Sequence, residues 1–485
     1  MINCATVKIG LVGAVHPNMP GDDVGLFGEI MERMDALAAE LGFNLVCHAE
    51  PLRSEEDAER ARSVMDEAEV DLTLLFMPSL PFGRVMLPLA RVKSRIGLWS
   101  VMEPAQSGVL QLNSFCGMNM LGSIIGNYLR RYDIPFKWFY GMPADEMFRE
   151  RLVVTLQALR AIKALQRARI GQVGGLANGF ENLYIDERDL EKRFGTYVQT
   201  RHTVEEIVGR AKQIADSRVA AETTSMLDEG ALNKATVATA QLDKAVRVFL
   251  ALRDFAHEQR YDALAVSCWT RFQEVYGVAI CSAMSRLNNQ GIVAPCEGDI
   301  LAAVNMLMFN AMSDGGKASL HDLVSMDDQD GSINLWHCGV GPGCWANRRG
   351  VVWDTHFNIG TYEGNEWKGE GVVADMQFKP GGVTLCTMDS SFESLFILSG
   401  DMMDNKDGFA GSSGWVNNLQ LNGVPTDLRD LLNTIAVMKV NHHYPAAYGD
   451  YTNQLNEFAA WTGMGVIDKV PYKPYLQSKR ATPVP

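Results

Sequence analysis

Short apolar runs alternate with amphipathic stretches along most of this chain, and no other feature constrains the fold as strongly. Strand-helix-strand order enforces parallel pairing with helices layered on the sheet. VKIGLVGAV reads as a buried strand, and Leu26 to Leu41 as a helix with apolar residues at three- and four-residue spacing. FNLVCHA, Ser54 to Ala68, DLTLLFMP and RIGLWSV continue the alternation. A polar, Arg-rich helix from about Pro143 to Arg167 ends just before a fresh strand, ARIGQVGG, which sets the first boundary. The pattern then restarts with GTYVQTR, a long helical region Thr203 to Gln259, YDALAVSCW, a helix from Tyr276 to Asn288, and GIVAPCE. A helix over Asp299 to Met312 closes this unit, and the pair Gly315-Gly316 marks the second boundary. Short strands separated by turns follow, among them INLWHCGV, GVVWDTHF, GGVTLCTMD and SLFILSGDM, with a late helix over Asp450 to Thr462. The expected organisation is two Rossmann-like α/β domains, 1–167 and 168–316, and a β-rich, barrel-like domain, 317–485.

Composition narrows the function. A chain of 485 residues, 47% hydrophobic and 21% charged, is globular and long enough for about two to four domains. The net charge of -14 opposes binding to nucleic acid or anionic lipid, which need a basic surface. The start, MINCATVKIGLVGAV, lacks the ordered parts of a secretory signal, and no apolar run approaches the roughly 20 residues of a membrane span. Nine scattered cysteines do not read as a disulfide framework, so a reducing cytoplasm is expected.

The stretch from Asp262 to Trp345 is the richest in chemistry. GIVAP is an apolar strand that runs into Glu297 and Asp299, and ligands bind at such carboxyl ends of strands in α/β sheets. Glu297 is a candidate ligand or base; its bland alternative is a charge favouring the next helix, a role that suits Asp299 better. Asp322 follows in SLHDLVSMDDQDG, His337 in NLWHCG, and His442 and His443 in KVNHHYP. Two carboxylates and up to three imidazoles suit a hard-to-borderline divalent ion with open positions for substrate oxygens. Only one of His442 and His443 is expected to touch the metal.

These residues carry a resemblance. Glu297 in an E-x-D tripeptide between strand and helix, Asp322 in a D-L dipeptide, and a late histidine near a Y-G-D turn resemble the L-fucose isomerases. LWHCG and the paired histidines are more similar to L-arabinose isomerases and smaller fucose-isomerase-like proteins, and His337 stands where the fucose enzymes have no counterpart. Leu98 to Pro104 resembles the segment bearing a substrate-stacking tryptophan, here Trp99, and Arg271 to Tyr276 one whose glutamine, here Gln273, contacts sugar hydroxyls. The resemblance implies a metal-dependent aldose-ketose isomerase using Mn²⁺ or another divalent ion. It implies metal ligands Glu297, Asp322 and a late histidine, and a homo-oligomer whose amino-terminal domain, with Trp99 and His16, completes the neighbouring site.

Moving a carbonyl between C1 and C2 needs a base and an acid on adjacent carbons, which Glu297 and Asp322 can provide. Trp99, Gln273 and His16 are the candidates for reading the sugar, with plain core packing the alternative for Trp99. Rival readings are a two-lobed sugar-binding protein, a nucleotide-dependent oxidoreductase prompted by GQVGGLANG, a zinc site from His337, Cys338 and Cys344, and a calcium loop at Asp327, Asp328 and Asp330. The third lacks a fourth ligand, and the last has Cys338 where a loop of that kind needs its glutamate.

Overall fold

Helix Leu26–Leu41 forms where the apolar spacing puts it, burying Phe27, Ile30, Met34 and Leu37. Gly42 ends it in the left-handed conformation and returns its N–H to the Ala38 carbonyl. Ser54 caps the next helix, Glu55–Glu67, by accepting from the Asp57 N–H. These observations come from a computed structural model that describes residues 6–18, 22, 25–313 and 315–477. The chain divides into two compact units, with the division at residue 160, inside the helix Glu146–Arg167.

In the amino-terminal unit, the strands Lys8–Ala14, Asn44–Leu52, Leu72–Phe76, Arg95–Ser100 and Phe136–Tyr140 pair in parallel, in the order second, first, third, fourth, fifth. That is the order of a doubly wound α/β sheet. Its core includes Val12, Leu75, Leu98 and Leu121.

The second unit holds two sheets. The strands Tyr197–His202, Arg169–Val173 and Ala263–Val266 form a small parallel sheet with Arg169–Val173 in the middle, extended by a bridge from Ala263 to Val293. The expected single helical region Thr203 to Gln259 is instead three helices, Val204–Gln213, Asp216–Glu229 and Thr239–Gln259. Between the last two, the strand Gly230–Leu232 leaves the α/β layer and pairs in parallel with Val351–Thr355. Gly230 permits this, since a Cβ there would lie 2.7 Å from the Val351 carbonyl oxygen.

The strand-rich part is one eleven-stranded mixed sheet. Among the described residues it does not close into the expected barrel: its path ends at Ala446–Tyr448 on one side and Gly230–Leu232 on the other. The strands Val372–Gln377 and Ser412–Leu421 join in parallel through two residue pairs, Met376 with Ser412 and Gln377 with Ser413. A helix not anticipated, Leu428–Met438, is capped by Asp427 and buries Leu428 and Leu431, and the late helix spans Thr452–Thr462. No helix among the described residues is long and apolar enough to cross a membrane.

Candidate metal centre

The chain leaves the small parallel sheet at Pro295 and turns through Cys296, Glu297 and Gly298 before the helix Ile300–Met312. Glu297 and Gly298 are both left-handed, with φ of 63° and 73°. A non-glycine residue held there costs about 1–3 kcal/mol and persists only when its surroundings enforce it. Here the Glu297 carbonyl accepts from the Ala177 N–H at 3.0 Å, and Gln172 Nε2 donates to the Gly298 carbonyl at 2.8 Å. A Cβ on Gly298 would lie 2.0 Å from the Gly175 carbonyl oxygen, so only glycine fits. The glycine-rich stretch after Val173 thus cradles the Glu297 turn.

Strand register supplies the other groups. Asp322 opens the strand Asp322–Asp327, pairs with Trp336 beside His337 on one side, and bridges to His443 on the other. His443 Nε2 lies 3.4 Å from Glu297 Oε2 and 3.8 Å from Asp322 Oδ1, and His442 Nε2 lies 3.6 Å from Glu297 Oε2. Glu297, His337 and His443 form one set of potential ligand atoms within 4.8 Å of one another, and Asp322, His442 and His443 another. The five anticipated residues thus fall into two sets that share His443. Glu297 Oε2, Asp322 Oδ1 and the Nε2 atoms of His337, His442 and His443 are buried without a hydrogen-bond partner.

Burial pushes the Glu297 carboxyl up, but the nearby imidazoles of His442 and His443 and the positive charge of His443 and His337 outweigh it and hold the group at about 2. Burial pulls His443 down, yet its hydrogen bond to Asp299, the nearby Glu297 carboxylate and the charges of Asp299 and Asp322 raise it to about 10. Burial likewise opposes the charges of Cys338 and Asp322 at His337, which prevail and lift it to about 9. Three carboxylates around one imidazole leave a site that favours a cation.

Asp299 is the residue whose role sequence reading understated. It caps the following helix as expected, Oδ1 accepting from the Ala302 N–H at 2.9 Å. Its other oxygen, Oδ2, lies 2.7 Å from His443 Nδ1, both side chains being 1% exposed. A carboxylate only accepts, so Nδ1 carries hydrogen, and in the neutral ring that metal binding requires the Nε2 lone pair faces Glu297 and Asp322. At His442 the partner is the Asn182 amide NH₂, 2.8 Å from Nδ1. The unpartnered oxygens of Glu297 and Asp322 together with the bare Nε2 of His443 fit a divalent ion of mixed nitrogen and oxygen preference.

The remaining candidates lie elsewhere. Gln273, on the helix Arg271–Tyr276, donates to the Cys268 carbonyl at 3.0 Å, while its Oε1 is buried without a partner. Trp99 is fully buried in the amino-terminal unit, its ring against Phe76 and Phe148 and its N–H on the Gly141 carbonyl, and it offers no free face. The aromatic packing that any central strand demands gives it a core role. His16 follows the first strand of that unit, edge-on to Phe82, with Nδ1 accepting from the Asn18 N–H. Cys296 rather than Cys344 groups with His337 and Cys338, and Lys406 takes up both Asp327 and Asp330.

A cleft of about 340 Å³ opens at the carboxyl ends of the small parallel sheet, lined by Gly174, Gly175, Arg201, Ser267, Trp269 and Arg271 among others. Gly175 is the residue against which the Glu297 turn packs, so cleft and centre share a wall. Arg271 pairs with both acids of the cleft, Glu205 and Glu274, whereas Arg201 has no ion pair among the described residues.

No family model matches the chain. Curated relatives do, and site and likeness together indicate an enzyme of the aldose-ketose isomerase class. In particular, the chain is 26% identical over 397 residues to sulfoquinovose isomerases of Priestia aryabhattai and Priestia megaterium, covering 80% of this chain and 83% of theirs. The sulfoquinovose isomerase of Alkalicoccus urumqiensis is 26% identical over 373 residues, 76% of this chain and 80% of that one.

Proposed function

We propose that the chain is a metal-dependent isomerase that interconverts a free aldose and its ketose through an enediol, with sulfoquinovose the leading substrate. The observation that carries this reading is that two buried, unpartnered carboxylate oxygens, Glu297 Oε2 and Asp322 Oδ1, lie 3.4 and 3.8 Å from the equally unpartnered His443 Nε2. These three residues would hold the ion, Mn²⁺ in first place, which supplies Lewis-acid polarisation of the sugar's carbonyl and hydroxyl oxygens.

Glu297 and Asp322 share the proton work. One removes the proton from C2 of the aldose, and a proton returns to C1, so the two carboxylates act as a base and acid pair on adjacent carbons. The low pKa of Glu297 keeps it ionised, as a metal ligand must be. Asp299 positions His443 and does not meet the substrate. The reading is supported by relatives named for a sulfonated sugar, and by Arg201, which gives the adjoining cleft a cation for an anionic substituent.

The assembly that goes with this reading is a homo-oligomer in which the amino-terminal unit of one copy completes the centre of another. The exposed apolar side chains Met102, Val109, Leu110 and Phe115 of that unit support it. Eight unpaired thiols among the described residues support a reducing cytoplasm.

The test is a panel of aldoses, with and without a sulfonate at C6, assayed for ketose with added Mn²⁺ and after chelation. Conversion of sulfoquinovose that disappears on chelation and returns with Mn²⁺ supports the reading. An Arg201→Gln variant then raises KM for the sulfonated sugar more than for neutral ones. Turnover untouched by chelation sinks the metal-dependent mechanism.

A further inference from the structure

We propose that Cys268 and Cys296 form a redox-modification site, a dithiol that peroxide closes to a reversible disulfide and that weakens the metal centre when closed. Both cysteines leave neighbouring segments of the small parallel sheet. Cys268 follows the strand Ala263–Val266, and Cys296 follows the segment that bridges to that strand through Val293 and Ala263. The two segments stay side by side past their ends, the Val266 N–H donating to the Pro295 carbonyl at 3.4 Å and the Gly298 N–H to the Val266 carbonyl at 3.0 Å. Neighbouring strands run about 4.8 Å apart, inside the roughly 4.4–6.8 Å that a disulfide spans between Cα atoms. The two sulfurs already lie 2.9 Å apart, so closing to a bond of about 2.05 Å takes less than about 1 Å of movement.

The oxidant arrives through the cleft, whose wall includes Ser267 and Trp269 on either side of Cys268. Cys268 is 5% exposed against 1% for Cys296, which makes it the thiol that meets peroxide. Its sulfur attacks one peroxide oxygen, the O–O bond breaks, and the thiol proton leaves with the other oxygen as water, giving a sulfenic acid. The Cys296 sulfur then attacks the Cys268 sulfur. The S–S bond forms, the S–O bond breaks, and the Cys296 proton leaves with the hydroxyl as a second water. Two thiols are oxidised and one peroxide is reduced. A dithiol reverses the step by exchange, so in a reducing compartment the pair rests open. Closure reaches the centre because Glu297 directly follows Cys296, in a left-handed turn held through the Ala177 N–H. A pull on Cys296 displaces that carboxylate, and a constellation of this kind tolerates only about 0.5 Å. An effect on turnover rests on the isomerase reading, whereas the pairing and its effect on the ion do not.

The experiment treats the reduced, metal-free protein with hydrogen peroxide, removes the excess and maps disulfides by mass spectrometry of a tryptic digest. Trypsin cuts after Arg271 and Arg286, so Cys268, Cys281 and Cys296 fall on three different peptides. The expected product links the Cys268 and Cys296 peptides, two hydrogens lighter than the separate pair, and dithiothreitol splits it. Mn²⁺ affinity, followed by the electron paramagnetic resonance of the free ion, should fall at least about tenfold on oxidation, as when a contact supporting a ligand is lost. Dithiothreitol should restore it, which it does not do for oxidised methionine. Cys268→Ser and Cys268→Ala should bind Mn²⁺ like the reduced parent and lose the response to peroxide, and the mapping of the parent decides alone if neither folds. Peroxide that leaves both thiols free, or links Cys281 to its 3.5 Å neighbour Cys338 instead, overturns the assignment. So does a closed pair that binds Mn²⁺ as the open one does. Should the parent convert no sugar at all, the isomerase reading fails, while a reversible Cys268–Cys296 link that lowers Mn²⁺ affinity still supports the switch.

Discussion

Replacing Asp299 by Asn separates the two tasks of one buried carboxylate. Oδ1 caps the helix Ile300–Met312 through the Ala302 N–H, and Oδ2 fixes the His443 tautomer at 2.7 Å. Asn caps a helix about as well as Asp, so its oxygen retains the first contact. Its NH₂ group then faces His443 Nδ1, which must accept, and the hydrogen moves to Nε2, where the lone pair is needed. Loss of such a supporting contact lowers metal affinity by about 10–100-fold, or about 1.4–2.8 kcal/mol. Asp299→Ala loses the cap as well, and should be less stable than the Asn variant by about 0.5–2 kcal/mol in chemical denaturation of the chelated protein. Calorimetric Mn²⁺ titrations of the two variants, read beside those denaturation curves, decide the matter. The reasoning is refuted if Asp299→Asn binds Mn²⁺ like the parent, or if affinity is lost only in the Ala variant, which would tie it to the cap.

Two further predictions follow from neighbouring residues. Gly298→Ala puts a Cβ 2.0 Å from the Gly175 carbonyl oxygen at φ 73°, so denaturant unfolding should show a loss of at least about 1 kcal/mol together with lost turnover as Glu297 shifts. His321 is buried between Trp345 and Phe378 with neither ring nitrogen partnered, and burial, aided by the charge of His337, lowers it from 6.5 to about 3. The unfolded chain then binds the proton more tightly, so stability is full above about pH 6.5 and falls below it, by about 1.4 kcal/mol per pH unit down to about 3. His321→Phe should remove that part of the acid slope in melting curves taken across this range, and an unchanged slope would show that His321 does not carry it.

Much of the centre was legible because its chemistry is written in single residues. A carboxylate leaving an apolar strand, as Glu297 does, and a pair of histidines after an apolar run, as His442 and His443 are, can be picked out without knowledge of their partners. What could not be read depends on distant pairing. Asp299 and His443 are 144 positions apart, and nothing near Asp299 tells a helix cap from a clamp on an imidazole. The strand Gly230–Leu232 has only three residues and finds its partner beyond Val351, so helical spacing on both sides concealed it. Trp99 failed as a sugar platform for a similar reason: an aromatic residue at the end of a buried strand has the same local pattern whether it meets a ligand or, as here, Phe76 and Phe148. The helix Leu428–Met438 did carry a readable signal, with Asp427 as its cap and Leu428 and Leu431 at three-residue spacing.

The most direct test of the central claim is turnover of sulfoquinovose by the Mn²⁺-loaded protein in heavy water, followed by nuclear magnetic resonance. Proton transfer through an enediol predicts ketose carrying deuterium at C1, and aldose that slowly exchanges its C2 proton as the reaction reverses. Glu297→Gln should lose both conversion and exchange by at least about 10²-fold, since positioned acid and base groups contribute about that much or more. Conversion without deuterium uptake, or exchange that survives undiminished in Glu297→Gln, would contradict the account.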